Sequence, residues 1–335
     1  MALLPVVFAL ALLLGVYFTP VARQAAIRFG IVDRPDGRLK TQAEAVPYMG
    51  GVAVFLAYLI AVGFVQEYDR ELLGILLAGT VTLLVGLVDD FGVLTPLAKL
   101  MGQGVAVFVL VRSGAVIELV EVPPNLRWLL AASWLLAVCN AFNLLDIMDG
   151  LAAGVGAIAG LGLGIAATVT GELTLAAAAF ALAGALIGFG VFNFHPARIY
   201  LGDAGSLSVG ITLGALSLCI RWSEQSPAGF LAPLAILAVP LADTAYVSVL
   251  RARAGRPFWH GSPDHFPLRL RKALGGDTRR AVISVYVIST VGALAGLGSA
   301  WLWSWQAALW VLGGFALAFV SLLASLARAR MEAGA

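Results

Sequence analysis

Charge is scarce in this chain. Of its 335 residues only 12% are Asp, Glu, Lys or Arg, about half the share of a soluble globular domain. The net charge of +2 is too small to suggest a nucleic-acid surface, so no nucleic acid is expected as a partner. Cysteine is nearly absent. Cys139 and Cys219 lie inside apolar runs and read as small buried hydrophobes, which excludes a disulfide-rich secreted domain. No internal repeat is visible. What the chain has instead is apolar surface: 61% hydrophobic residues and a mean hydropathy of +0.95. A soluble enzyme and a disordered chain are both excluded. An all-α polytopic protein, a single transmembrane domain over residues 1–335, is expected.

A spanning helix needs about 20 apolar residues. Eleven runs qualify as candidates, with ten as the alternative count: 3–22, 48–65, 72–88, 97–111, 127–142, 151–170, 172–192, 206–221, 228–250, 281–303 and 305–327. The first has no basic residues before it and Arg23 and Arg28 after it, which favours a retained helix over a signal peptide and places the N-terminus outside. With eleven spans the C-terminus is then cytoplasmic, and 17 of the 21 Lys and Arg residues fall on the cytoplasmic side; Arg70, Arg112, Arg127 and Arg221 are the remainder. The positive-inside rule supports that orientation. The cytoplasmic loops are 23–47, 89–97, 143–151, 193–206 and 251–280.

Nearly every unusual polar residue falls at the cytoplasmic face. "GLVDDFGVLTPLAKL" (86–100) puts Asp89 and Asp90 side by side. Adjacent anions repel, so a partner cation is expected: a divalent ion or Lys99. "NAFNLLDIMDGLAAG" (140–154) spaces Asn140, Asn143, Asp146 and Asp149 by three. On a regular helix each such step drifts by about 60°, which points Asn140 and Asp149 opposite ways. The helix must end or bend here if all four serve one site, and Gly150 can supply the stop. An Asn and Asp oxygen set suits Mg²⁺.

"FNFHPARIYLGDAGSLSVG" (192–210) sets Asp203 between Gly202 and Gly205. Ser206 is placed to cap the apolar helix that follows, whose first N–H groups could meet a phosphate. His195, before Pro196, reads as structural. Asp243 stands among apolar residues, and an intramembrane carboxylate is a functional candidate by default. "HGSPDHFPLRLRKALGG" (260–276) has too few ligands for tetrahedral Zn²⁺. Its His265, Arg269 and Arg271 suit phosphate oxygens better. In "DRPDGRLKTQAEAVPYMGG" (33–51), Lys40 could face anionic ligands, and Pro47 with Gly50-Gly51 suggests a specific turn.

Taken in order, "PYMGG", "DDF", "NAFNLLDIMDGLAAG", "PARIYLGDAGS", "PLADT" and "SPDHF" resemble the polyprenyl-phosphate N-acetylhexosamine-1-phosphate transferase superfamily. The likeness covers residues 33 to about 272, and the combination is specific where no single piece is. It implies a Mg²⁺-dependent membrane enzyme, with Mn²⁺ as the alternative ion. Its partners would be a UDP-N-acetylhexosamine donor, a polyprenyl (undecaprenyl) phosphate acceptor and the lipid bilayer. A homodimer is the one protein assembly allowed for. The reaction releases UMP at the cytoplasmic face of the bacterial plasma membrane and starts a cell-envelope glycan. By motif position, Asp89 and Asp90 sit at the reaction centre and Asn143 and Asp203 hold Mg²⁺. Lys99 contacts the pyrophosphate, and Asp146 and Asp149 line the nucleotide-sugar site. His265 and Arg269 hold donor groups; Lys40, Asn140, Ser206 and Asp243 complete the substrate-binding set. Relatives in the muramoyl-pentapeptide branch carry a run of histidines in the last large loop, and many relatives have one near the first-loop lysine. Here Pro267 follows Asp264-His265-Phe266, and the first loop reads Lys40-Thr41-Gln42. Related glucosamine-1-phosphate transferases carry a His-x-His-like cluster in the last large loop as well, so the departure points away from the muramoyl branch without selecting the sugar; a UDP-N-acetylhexosamine donor is expected, with phospho-N-acetylmuramoyl-pentapeptide transfer as the alternative. A cation- or proton-coupled carrier is the rival class. Carriers show repeated halves and midplane charges; this chain shows no repeat, and its charges cluster at one face.

Overall fold

The computed structural model describes residues 3–33, 46–65, 68–116, 123–222, 228–255, 264–302 and 304–328. It is helical almost throughout. The one sheet among the described residues is a two-residue antiparallel ladder, β1 (Val32–Asp33) with β2 (Val46–Pro47). The chain divides into two compact units, residues 1–221 and 222–335.

The first unit holds α1 (Leu3–Phe29), α2 (Gly50–Val62), α3 (Arg70–Asp90), α4 (Pro96–Ser113), α5 (Pro124–Leu145), α6 (Leu151–Val169), α7 (Leu173–Asn193) and α8 (Gly202–Cys219). α8 is buried along nearly its whole length, with α3 and α5 packed against it. α6 and α7 are rich in Ala and Gly, and α7 packs on both α1 and α6. Small side chains let backbones approach closely, the usual way helices associate in lipid.

The second unit holds α9 (Ala232–Ile236), α10 (Ala238–Arg253), α11 (Phe266–Ala273), α12 (Thr278–Trp301) and α13 (Trp305–Arg328). α9 and α10 meet at a 67° bend. Pro240, in the first turn of α10, has no N–H to continue a ladder from α9. α12 is the centre of this unit and packs against α9, α10, α11 and α13.

All eleven apolar runs are helical. Eight helices among the described residues are long and apolar enough to cross a bilayer, and the bent α9–α10 pair makes a ninth. α2, at 13 residues, and α4 fall short of that standard. Outward-facing apolar side chains are abundant: Leu13, Tyr17, Phe108, Leu294 and Leu317 are each more than 60% exposed. A soluble protein does not leave that much apolar surface in water; the chain is a multi-pass membrane protein.

Candidate active site

The site of the first unit is built around the start of α8. Before that helix, Tyr200 and Leu201 run alongside the "PYMGG" segment. Tyr200 N donates to Pro47 O (2.8 Å), Gly50 N to Tyr200 O (3.0 Å) and Gly51 N to Leu201 O (2.8 Å). The two segments approach so closely that a Cβ on Gly51 would stand 2.1 Å from Gly205 N. Gly202 then turns the chain with φ +76°, and a side chain there would also meet the Asp90 carboxylate at 2.8 Å.

That turn aims the first α8 N–H groups at Asp90. Asp203 N donates to Asp90 Oδ1 (2.8 Å) and Ala204 N to Asp90 Oδ2 (3.2 Å). A carboxylate at a helix N-terminus makes charge-assisted bonds and favours the helix dipole. The N–H groups expected for a phosphate are thus already taken by Asp90. α8 also begins earlier than expected, at Gly202. Ser206 therefore lies within the helix and caps nothing; its hydroxyl accepts from Asn143 Nδ2 (3.0 Å).

The adjacent aspartates at the end of α3 diverge. Asp90 turns to α8, and Asp89 turns to Lys99, which rises from the first turn of α4. Thr95 caps that turn by accepting from Ala98 N (3.3 Å). The Lys99 ammonium lies 2.6 Å from Asp89 Oδ2, 2.8 Å from Asp203 Oδ2 and 3.0 Å from Asn143 Oδ1. Asn143 Nδ2 in turn donates to Asp203 Oδ1 (2.8 Å). Four helices thus contribute to one cluster: Asp89 from α3, Lys99 from α4, Asn143 from α5 and Asp203 from α8. Its side chains stay partly open, with Asp89 16%, Lys99 17% and Asp203 36% exposed.

α5 leaves the helix at Asp146, five residues after Ala141 and before Gly150, so the required break is present but not at the glycine. Gly150, at φ +78°, instead precedes α6, and its N–H donates to Asn193 Oδ1 (3.0 Å). The break separates the two aspartates. Asp149 Oδ2 pairs with His195 Nδ1 (2.7 Å) and accepts from Ala197 N (3.0 Å). Burial pushes the Asp146 carboxyl up to about 8, reinforced by the charges of Asp203, Asp90 and Asp149 and opposed by the Gly202 N–H. Crowded carboxyls of this kind hold protons in place of charge, and a cation beyond Lys99 would favour their ionised forms.

Asn140 sits one turn before Asn143 and exchanges two hydrogen bonds with Gln103, a residue the sequence did not single out. Asn193 was also missed. It bridges Gly150 N and Ile199 O and so ties the α5–α6 turn to the approach of α8. Lys40 lies outside the described residues.

The remaining predicted residues belong to the second unit. Asp243 of α10 is fully buried. Its Oδ2 contacts His265 Nδ1 (2.6 Å) and its Oδ1 accepts from Phe266 N (2.9 Å), at the start of α11. Arg269 donates to Asp264 Oδ1 (2.8 Å) and to Leu326 O (3.2 Å), and its guanidinium lies 6.0 Å from the centre of the Tyr246 ring.

Among the described residues, no three His, Cys, Asp or Glu side chains gather at metal-ligand spacing. The Lys99 cluster is instead two carboxylates and one amide, oxygen donors only, converging on one cationic atom. Mg²⁺ is commonly held by one or two carboxylates with the rest of its shell from water and substrate phosphates, and the donor set fits that chemistry.

Fold and site together define a polytopic membrane protein with a carboxylate-rich cluster where four helix ends meet. A family model described as "Glycosyl transferase family 4" matches residues 72–221, the stretch that carries the whole cluster. The chain is 30% identical to a "Probable undecaprenyl-phosphate N-acetylglucosaminyl 1-phosphate transferase" of Bacillus subtilis, covering 89% of this chain and 86% of that protein. It is 33% identical to a "Decaprenyl-phosphate N-acetylglucosaminephosphotransferase" of Mycolicibacterium smegmatis, covering 83% and 77%. It is also 33% identical to a "Phospho-N-acetylmuramoyl-pentapeptide-transferase" of Moorella thermoacetica, covering 88% and 98%. The chain belongs to glycosyl transferase family 4.

Proposed function

We propose that the protein transfers N-acetylhexosamine-1-phosphate from a UDP-sugar to a polyprenyl phosphate, releasing UMP. The observation that carries this reading is the Lys99 ammonium held by Asp89, Asp203 and Asn143 in a membrane protein whose relatives are named for such transfers. An acceptor phosphate oxygen attacks the donor's β-phosphorus. A new P–O bond forms, the bond from that phosphorus to the bridging oxygen breaks, and UMP leaves with the electron pair. Phosphoryl transfer asks for positioning and charge neutralisation more than covalent help, so we favour direct attack over an aspartyl-phosphate intermediate.

Asp203 and Asn143, with Asp89 beside them, are the residues that would hold Mg²⁺; bound there, it would neutralise charge on the phosphates. Lys99 supplies a cation for the pyrophosphate. Asp89 faces the acceptor, Asp90 holds the α8 start that presents Asp203, and Asp146 and Asp149 line the donor side. The segment around His265 and Arg269 selects the donor sugar. The basic-residue asymmetry supports eleven crossings and a cytoplasmic active face in the bacterial plasma membrane.

The test is transfer of label from UDP-N-acetylglucosamine to undecaprenyl phosphate in sealed membrane vesicles. Inverted vesicles are expected to make labelled lipid and UMP in a Mg²⁺-dependent way, with right-side-out vesicles inactive. Labelling only from UDP-N-acetylmuramoyl-pentapeptide would replace the donor. Equal activity in both vesicle types would reject the cytoplasmic face, and no labelled lipid from any UDP-sugar would reject the function.

A further inference from the structure

Gln103 occupies the α4 face that carries Lys99, four residues further along. It is 1% exposed. Asn140 stands three residues before Asn143 on α5. Gln103 Nε2 donates to Asn140 Oδ1 (3.1 Å), and Asn140 Nδ2 donates to Gln103 Oε1 (2.8 Å) and to Leu136 O (2.9 Å). One helical turn away, the same two helices are bridged again by Lys99 Nζ on Asn143 Oδ1 (3.0 Å). The two bridges lie on neighbouring faces, because residues three or four apart in a helix are adjacent.

A reciprocal amide pair is a register lock. Sliding one helix by a single residue moves its side chains about 1.5 Å along the axis and turns them by about 100°. That would leave buried amide groups on both helices without partners, which is costly away from water. Lys99 has a long, flexible stem, so its own bond to Asn143 fixes the register poorly. The amide pair fixes it well.

We propose that Gln103 is a positioning residue of the transferase. Through Asn140, it sets α4 against α5 so that the Lys99 ammonium meets Asn143 and Asp203. This assigns Asn140 to the lock and not to direct donor contact. The inference rests on the transferase reading above.

The experiment measures kcat and donor KM in Gln103→Ala, Asn140→Ala, the double alanine variant, the exchanged pair Gln103→Asn/Asn140→Gln and the apolar pair Gln103→Leu/Asn140→Leu. Detergent-solubilised monodispersity reports integrity. Each single alanine variant is expected to lose kcat by about ten- to a hundredfold with donor KM within about threefold, and the double variant to be no worse than the worse single. The exchanged pair, which restores amide facing amide, should recover at least tenfold over the alanine variants. The apolar pair should stay folded, since removing both partners leaves nothing unsatisfied, yet keep the low kcat. Four results would overturn the proposal: losses that multiply in the double variant, an exchanged pair as weak as the alanines, an apolar pair with parental kcat, or a loss in Asn140→Ala carried by donor KM. If the leucine pair does not insert, the exchanged pair decides. A parent protein that transfers no sugar phosphate would instead sink the transferase reading, whatever the variants do.

Discussion

Asp90 in the first unit and Asp243 in the second do the same local job. Each is an aspartate on one helix that accepts from backbone N–H groups at the start of another: Asp90 from Asp203 and Ala204 at α8, Asp243 from Phe266 at α11. What surrounds them differs. Beside Asp90 the cluster is acidic and partly open, with Asp203 36% and Asp89 16% exposed. Around Asp243 the cluster mixes His265 and Arg269 with Asp264, and the central pair is closed, at 1% for Asp243 and 5% for His265. The same capping device thus serves two ends. In the first unit it holds Asp203 in an acidic cluster whose side chains stay partly open. In the second it holds a segment in shape, so any effect on substrate comes through the segment's conformation.

The sharpest way to break this comparison is to remove the charged and amide groups of the first unit's cluster one at a time. Asp203→Ala, Asn143→Ala and Lys99→Met should each lower kcat/KM by about a hundred- to a thousandfold or more, the scale of losing one electrostatic group at a transfer site. The variants should still insert and elute as the parent does. Near-parental turnover at ordinary Mg²⁺ in any of them would remove that residue from the cluster's chemistry.

The second test compares the caps. Asp243→Asn should destabilise more than Asp90→Asn, because its carboxylate is buried against His265 as well as a backbone N–H. Leaving such groups without a charged acceptor costs about 1–3 kcal/mol. Thermal unfolding in detergent reads the difference, and a larger loss in Asp90→Asn would reverse the assignment of the closed, structural role.

Much of this was legible in the sequence, for definite reasons. Apolar runs announce helices because a bilayer leaves no other way to satisfy the backbone, and all eleven runs are helical. Their lengths were less legible. The 48–65 run yields only α2, which starts at Gly50, where the chain comes off its pairing with Tyr200, and stops at Val62. The 97–111 run carries Lys99 and Gln103, which serve α5 and not lipid. "DDF", "NAFNLLD" and "LGDAGS" come together at one cluster, as their shared chemistry suggested. The division of labour between Asp89 and Asp90 was hidden, since adjacency in sequence does not say that the two side chains part. Gln103 was hidden too: a lone amide in an apolar helix has no visible partner until the helices are packed. Ser206 was misplaced by a turn, because Gly202 adopts a left-handed conformation and starts α8 early.

A smaller effect separates the donor-side aspartates from the caps. Asp146 holds its proton in the folded protein up to about pH 8 and releases it near pH 4 when unfolded. The folded state therefore binds more protons across that window, and this group's contribution to stability falls as pH rises through it. Asp146→Asn has no such proton to lose. In detergent without divalent cations, its Tm relative to the parent should be higher at pH 8.5 than at pH 5. A Tm difference independent of pH would remove Asp146 from the crowded carboxyls.

The most direct test of the division between the two units is kcat/KM for two UDP-N-acetylhexosamines, measured in Asn143→Ala, His265→Ala and Arg269→Ala. Asn143→Ala should lower both donors by the same factor, because the phosphates it serves are common to both. His265→Ala and Arg269→Ala should change the ratio between donors by about ten- to a hundredfold, because each loosens the segment proposed to select the donor sugar. Equal losses for both donors in the two second-unit variants, with a changed ratio in Asn143→Ala, would contradict the account.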